Sequence, residues 1–205
     1  MLRRTGFLLL FLLPAALLAQ SPRSVVGGEA GLWAGGEVST FNPDWGCASN
    51  SPFSCASNQL IGLTALFDFN AHDRWGAEGE ARWLHWHGLS GEIESNYLIG
   101  PRYRFFEYHR LNGWAKVEAG GGWITTPGYP NAPGSLKGSY FAFAPGGTLD
   151  YHLTPRLSLR GDYEYEIWPS FQGSPTVGSN GVITHNNGLT PNGFSVGVAY
   201  RFLGQ

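Results

Sequence analysis

From residue 29 onward the chain alternates apolar and polar residues with a period of two, and no stretch keeps a 3.6-residue apolar period for ten residues. That pattern excludes a helical domain and demands strands with two unlike faces. The clearest segment sets Leu157, Leu159, Gly161, Tyr163, Tyr165 and Ile167 against Ser158, Arg160, Asp162, Glu164 and Glu166. The last segment sets Phe194, Val196, Val198, Tyr200 and Phe202 against Ser195, Gly197, Ala199 and Arg201. Similar alternation runs through 32–39, 61–69, 77–83, 96–105, 115–119 and 141–151, the last with a bulge expected at Pro145-Gly146-Gly147. This predicts eight strands of about ten residues, the length with which a tilted strand crosses a bilayer. Long connectors (42–58, 125–138, 169–191) and a middling one (88–95) alternate with short ones (70–74, 106–113, 152–155). Long loops on one rim and tight turns on the other are expected of an up-and-down membrane barrel.

The N-terminus carries Arg3 and Arg4, then an apolar run from Phe7 to Leu18, then Ala19. This reads as an export signal over 1–19, followed by a short segment 20–28 and a single barrel domain over 29–205. No later apolar run is long enough for a spanning helix, so the exported chain is either soluble or a closed barrel. Cys47 and Cys55 lie eight apart in the first long connector, and in an oxidising compartment they are expected to form a disulfide. The formal charge of −2 includes no basic cluster, which excludes nucleic acid as a partner.

Alternation alone does not say which face is outside. A soluble lipocalin-like periplasmic barrel would show the same pattern with its apolar face inward. Three features favour the membrane. After residue 19 the chain has nine arginines but only Lys116 and Lys137, and arginine suits buried ion pairs. Aromatic residues gather near strand ends, as two interfacial belts would require. Phe69, Trp75, Phe105, Trp114, Tyr151 and Phe202 are placed at the short-turn rim, and Phe41, Trp83, Tyr97, Trp123, Phe141, Trp168 and Phe194 at the long-loop rim. The third feature is the C-terminal pattern Ser195-x-Gly197-x-x-Tyr200-x-Phe202.

That pattern resembles the signal read by the outer-membrane assembly machinery. The turn Tyr151–Arg156 and the Gly161-Asp162-Tyr163 after it are similar to the sixth-to-seventh strand hairpin of small outer-membrane barrels. Over about 29–202 the chain resembles the outer membrane protein beta-barrel domain group, OmpA-like and OmpW-like proteins. The resemblance implies an all-β, eight-stranded antiparallel transmembrane barrel in the outer membrane of a double-membraned bacterium. Its implied partners are outer-membrane lipid and, during biogenesis, the assembly machinery.

An eight-stranded barrel is just wide enough for side chains to fill. By parity the lumen receives Glu37, Asp68, Glu78, Glu80, Arg82, Arg102, Arg104, Lys116, Glu118, Arg160, Asp162, Glu164, Glu166 and Arg201, eight acids against six bases. Buried charges must be paired or hydrated, so an ion-pair plug is expected, with a narrow pore or proton path as the alternative. Catalytic signals are weak. Gly193-Phe194-Ser195-Val196-Gly197 matches a serine-hydrolase elbow, but no Asp or His follows it. Asp162, Glu164 and Glu166 share a face with Arg160, which favours ion pairing over glycosidase chemistry. His85 and His87 lack a third metal ligand, and no His-x-Ser of the lipid-processing barrels occurs. No enzyme activity, cofactor or metal is therefore expected. The expected role is structural or interactive at the cell surface. A small-solute channel is the rival. Connectors 42–58, 125–138 and 169–191, with Trp45, Phe53, Tyr129, Trp168 and Phe171 among small polar residues, are the expected recognition surface.

Overall fold

The alternating segments fold as strands that pair with their neighbours in sequence. The computed structural model describes residues 31–42, 60–71, 74–86, 92–126, 136–172, 176–177, 183–184 and 187–203. Seven strands run in order: β1 (Gly31–Asn42), β2 (Leu60–Asn70), β3 (Trp75–Trp86), β4 (Ile93–Tyr108), β5 (Leu111–Thr126), β6 (Leu136–His152) and β7 (Leu157–Tyr165). Four short strands follow: β8 (Trp168–Gln172), β9 (Thr176–Val177), β10 (Ile183–Thr184) and β11 (Asn187–Leu189). The final strand, β12 (Asn192–Leu203), pairs antiparallel with β7 on one side and β1 on the other. The eight long strands thus close a barrel with no free edge. The strands reach 17 residues in β6, longer than the ten expected.

Closure fixes the inversion that alternation left open. Asp68, Glu78, Arg82, Arg102, Lys116, Glu118, Arg160 and Glu164 are buried inside, whereas Leu63, Ile99, Phe141, Leu159, Val196 and Val198 are exposed on the outer wall. A soluble ligand-binding barrel would have the opposite arrangement. An apolar wall of this extent is stable only against lipid. Outward rings cluster at both rims. Trp75 packs 4.8 Å from Tyr103 at the short-turn end, and Tyr97 lies 5.4 Å from Trp123 at the other. Trp83 Nε1 donates to Tyr97 Oη at 3.0 Å.

Two expectations need correction. Phe41, Trp114 and Trp168 are not belt residues: all three are buried inside the barrel. Each shares parity with the charged inward face of its strand, and two of them carry guanidiniums over their rings. Arg82 sits 4.0 Å above Phe41, and Arg102 sits 3.9 Å above Trp114. The bulge expected at Pro145–Gly147 is also absent, since the β5–β6 register runs unbroken from Leu111↔Tyr151 to Thr126↔Leu136. The glycine serves close approach instead, because a Cβ on Gly146 would meet Tyr163 O at 2.6 Å and Glu164 Cγ at 2.9 Å. Register shifts occur between Arg104 and Phe106 in β4 and between Leu32 and Trp33 in β1.

Candidate functional site

The site is the filled lumen. Its centre follows from register. Lys116 on β5 lies opposite Gly146 on β6, and Gly146 lies opposite Glu164 on β7. The missing side chain at Gly146 leaves the space through which Lys116 reaches Glu164. Lys116 Nζ also lies 2.7 Å from Glu78, 3.2 Å from Glu80, 3.1 Å from Asp162 and 3.4 Å from Glu118.

Toward the short-turn end two guanidiniums share three carboxylates. Arg160 donates through Nε to Asp150 Oδ1 at 2.7 Å, and through Nη2 to Asp150 Oδ2 at 3.0 Å and Asp68 Oδ2 at 2.6 Å. Its Nη1 reaches Glu78 Oε2 at 3.3 Å. Arg102 Nη1 lies 2.6 Å from both Asp68 and Glu78, and its Nη2 lies 3.4 Å from Asp150. Toward the long-loop end Arg82 pairs with Glu80 at 2.5 Å, Glu164 at 3.0 Å and Glu166 at 2.8 Å. β3 and β7 stand on opposite sides of the barrel, so Arg82 and Arg160 both pair across its full width. Bidentate and shared geometry of this kind makes such pairs strong.

Both ends are covered. At the long-loop end β8 pairs with β11 and turns Trp168, Phe171 and Leu189 onto Leu98, Ile124, Ala142 and Ala144. Trp168 Nε1 donates to Glu166 Oε2 at 2.7 Å, which ties this apolar lid to the charged layer below. At the short-turn end Asn112 and Ser158 hold the His152 ring from either side at 2.8 Å, and Trp33 lies 5.7 Å from it. A seam of hydroxyls joins β2, β1 and β12: Ser39 Oγ bonds Thr64 Oγ1 and, at 2.6 Å, Ser195 Oγ.

Comparison with known proteins agrees with this architecture. The family described as "outer membrane protein beta-barrel domain" matches residues 5–202. The chain belongs to that family. No match is found among curated proteins. Among solved structures this outer-membrane barrel is similar to Neisserial surface protein A, at 9% identity, covering 86% of this chain and 100% of that one, with a TM-score of 0.60. It is also similar to Ail, the attachment invasion locus protein of Yersinia pestis, at 17% identity, covering 85% of this chain and 99% of that one, with a TM-score of 0.52. At such identities the likeness concerns the fold.

Of the fourteen residues expected in the lumen of this outer-membrane barrel, twelve are buried there. Arg104 and Arg201 sit half-buried at the short-turn rim. Arg104 pairs with Glu107 at 3.1 Å, and Arg201 lies 5.4 Å above the Trp33 ring and donates to Pro155 O. Sequence reasoning missed Asp150, Glu94 and Glu92, all buried. Asp150 and Glu94 share parity with Thr148 and Asn96, and extending β4 back to Ile93 would have found Glu94. Among the described residues the barrel interior therefore holds nine strand carboxylates and Glu166 against Arg82, Arg102, Lys116 and Arg160. Ser195 of the hydrolase-like motif is buried within β12 and bonded to Ser39, and no helix occurs among the described residues. Tyr200 and Phe202 of the assembly pattern face outward, while Gly197 sits where a Cβ would strike Gly36 O at 2.1 Å. His87, Cys47, Cys55, the export segment 1–19 and the segment 20–28 lie outside the described residues.

Proposed function

We propose that this outer-membrane barrel is a closed, non-enzymatic scaffold that presents connectors 42–58, 125–138 and 169–191 to the cell exterior. The observation that carries the reading is the pairing of Arg82 and Arg160 across the full width of the lumen, under the apolar lid of Trp168, Phe171 and Leu189. A continuous water path would require these pairs to part. Planar-bilayer recording is the test. No discrete conductance is expected from folded protein, and reproducible single-channel steps would replace the scaffold with a channel.

A structure of Ail in complex with the heparin analogue sucrose octasulfate is among the similar folds, at 16% identity and a TM-score of 0.50. The present chain differs in the chemistry that would recognise such an anion. Across the three connectors Lys137 is the one Lys or Arg. The ligand class favoured is a neutral glycan or protein surface, met by Trp45, Phe53 and Tyr129 among Ser, Asn, Gly and Pro. Trp168 and Phe171 leave the recognition set because they are buried in the lid. Whole-cell binding to glycan arrays should fall on deletion of 42–58 or 127–135 and stay unchanged when sulfated polymers compete. Competition by heparin would reject the neutral-ligand reading.

The same reading includes a cleaved export signal over 1–19 and recognition of Ser195, Gly197, Tyr200 and Phe202 by the assembly machinery. It also includes a Cys47–Cys55 disulfide that braces the first long connector. Intact mass of the mature protein and a thiol count without reductant test the first and last. A retained leader or two free thiols would remove them.

A further inference from the structure

Every described arginine outside the lumen lies at one end of the barrel. Arg74, Arg104, Arg110, Arg156 and Arg201 all stand at the short-turn rim, in the turns β2–β3, β4–β5 and β6–β7 and near the ends of β4 and β12. At the long-loop rim Lys137 is the one Lys or Arg among the described residues. Acids do not balance the short-turn rim. Glu107, 3.1 Å from Arg104, is the one exposed acid among the described residues.

Register sets these bases side by side. Arg104 N donates to Arg74 O, Arg201 N to Arg156 O and His152 N to Arg110 O, each at 2.8 Å. Each bond joins neighbouring strands, so each puts two basic residues directly across from one another. In every pair one member is exposed, Arg74, Arg156 or Arg110, and the other is half-buried. Like charges directly opposite are destabilising by themselves. An anion held between them removes that repulsion, and the guanidinium fork matches the oxygens of a phosphate.

The level of these pairs is that of lipid headgroups. Exposed apolar residues continue past them: Phe106 and Tyr108 beyond Arg104, Leu203 beyond Arg201, and Leu153 in the turn after His152. Arg74 Nη1 donates to Tyr103 Oη at 3.3 Å, and the Tyr103 ring packs 4.8 Å from Trp75 on the outer wall, so a base of this rim reaches the lipid side. Arginines and rings at one depth keep their apolar parts in the hydrocarbon margin and their charge among the phosphates. We propose that the pairs Arg74/Arg104 and Arg156/Arg201 each hold the phosphodiester of one anionic phospholipid, so that the short-turn rim sorts its surrounding lipid by charge. Assigning that lipid to the periplasmic leaflet rests on the orientation proposed above; the lipid preference does not.

The test is native mass spectrometry of the folded full-length protein, released from detergent that carries equimolar phosphatidylglycerol and phosphatidylcholine of the same chains. Unheated gel mobility monitors the fold. Phosphatidylglycerol should be retained at least about threefold over phosphatidylcholine, because interfacial bases favour anionic headgroups. One molecule is expected per arginine pair. R156Q/R201Q and R74Q/R104Q should each lose one, and either stands in if the other does not fold. Lys137→Gln, at the opposite rim, should leave retention unchanged. Inorganic phosphate should displace no more lipid than chloride does at the same ionic strength. Equal retention of the two lipids by the wild type overturns the proposal and leaves the rim to an acidic soluble partner. So does phosphatidylglycerol retention that a folded double variant leaves intact or that Lys137→Gln abolishes. Selective displacement by inorganic phosphate also overturns it, because the site would then take the free ion. A barrel that conducts, or that inserts the other way round, keeps the lipid preference, so failure of the scaffold reading is told apart from failure here.

Discussion

Replacing Arg160 by Met removes the donor with the most contacts at the short-turn end while keeping an unbranched side chain. Four contacts go: two to Asp150, one to Asp68 and one to Glu78. The three carboxylates then face Arg102 as their main guanidinium, and it already lies 2.6 Å from Asp68 and Glu78 but 3.4 Å from Asp150. Removing one partner of a buried pair costs ~3–5 kcal/mol, because the other charge stays buried. Residual service from Arg102 argues for the lower part of that range. Equilibrium unfolding in lipid vesicles, followed by tryptophan fluorescence across a urea series, measures it. The double variant R160M/D150N removes both partners and should recover at least half of the loss. A loss for R160M below ~1 kcal/mol, the range of exposed pairs, would mean that water already screens the lumen and would refute a dry ion-pair plug.

Three further outcomes follow from the same geometry. Arg201→Gln, at the half-exposed rim, should cost no more than ~1 kcal/mol in the same assay, against the larger loss at Arg160. Gly122→Ala places a Cβ 2.4 Å from the Trp168 ring, so the lid must shift; increased protease cleavage within 169–191 is expected, and unchanged cleavage would contradict the contact. Glu92, at the mouth of β4, is pushed up to about 7 from 4.5 by burial away from water. A carboxyl whose folded pKa is raised binds more protons folded than unfolded between those values, so its contribution to stability falls as pH rises through that window. Glu92→Gln should match the wild type near pH 4 and become the more stable of the two above pH 7. A gap that does not change with pH would reject the burial argument.

The barrel was legible in the sequence because period two with a charged face leaves few alternatives for eight segments that end in turn residues. Leu157–Ile167 and Phe194–Phe202 already separate two unlike faces, while the arginine content, the strand-end aromatics and the C-terminal pattern point to which of them meets lipid. What escaped lay where one rule was applied past its reach. Hydrophobicity and position near a strand end place Phe41, Trp114 and Trp168 in the belts, yet their parity matches Glu37, Lys116 and Glu166; rings face inward here to support guanidiniums and seal the mouth. Arg104 follows the parity of Arg102 but lies beyond the level at which β4 encloses it, and its partner is the exposed Glu107. Glu94 lies on the N-terminal extension of β4, before the alternating stretch that starts at Asn96. The lid formed by Trp168 and Leu189 depends on a pairing between Leu189 and Trp168 across a connector, which no local period encodes.

The measurement that bears most directly on the account is nitroxide accessibility along β12 in lipid bilayers. The label is placed in turn at each position from Phe194 to Tyr200 in a C47S/C55S background. The inversion of faces predicts high oxygen collision rates at 194, 196, 198 and 200 and low rates at 195, 197 and 199, with little access of a water-soluble nickel relaxant anywhere in the set. The opposite phase, or strong nickel access at 194, 196, 198 and 200, would contradict it.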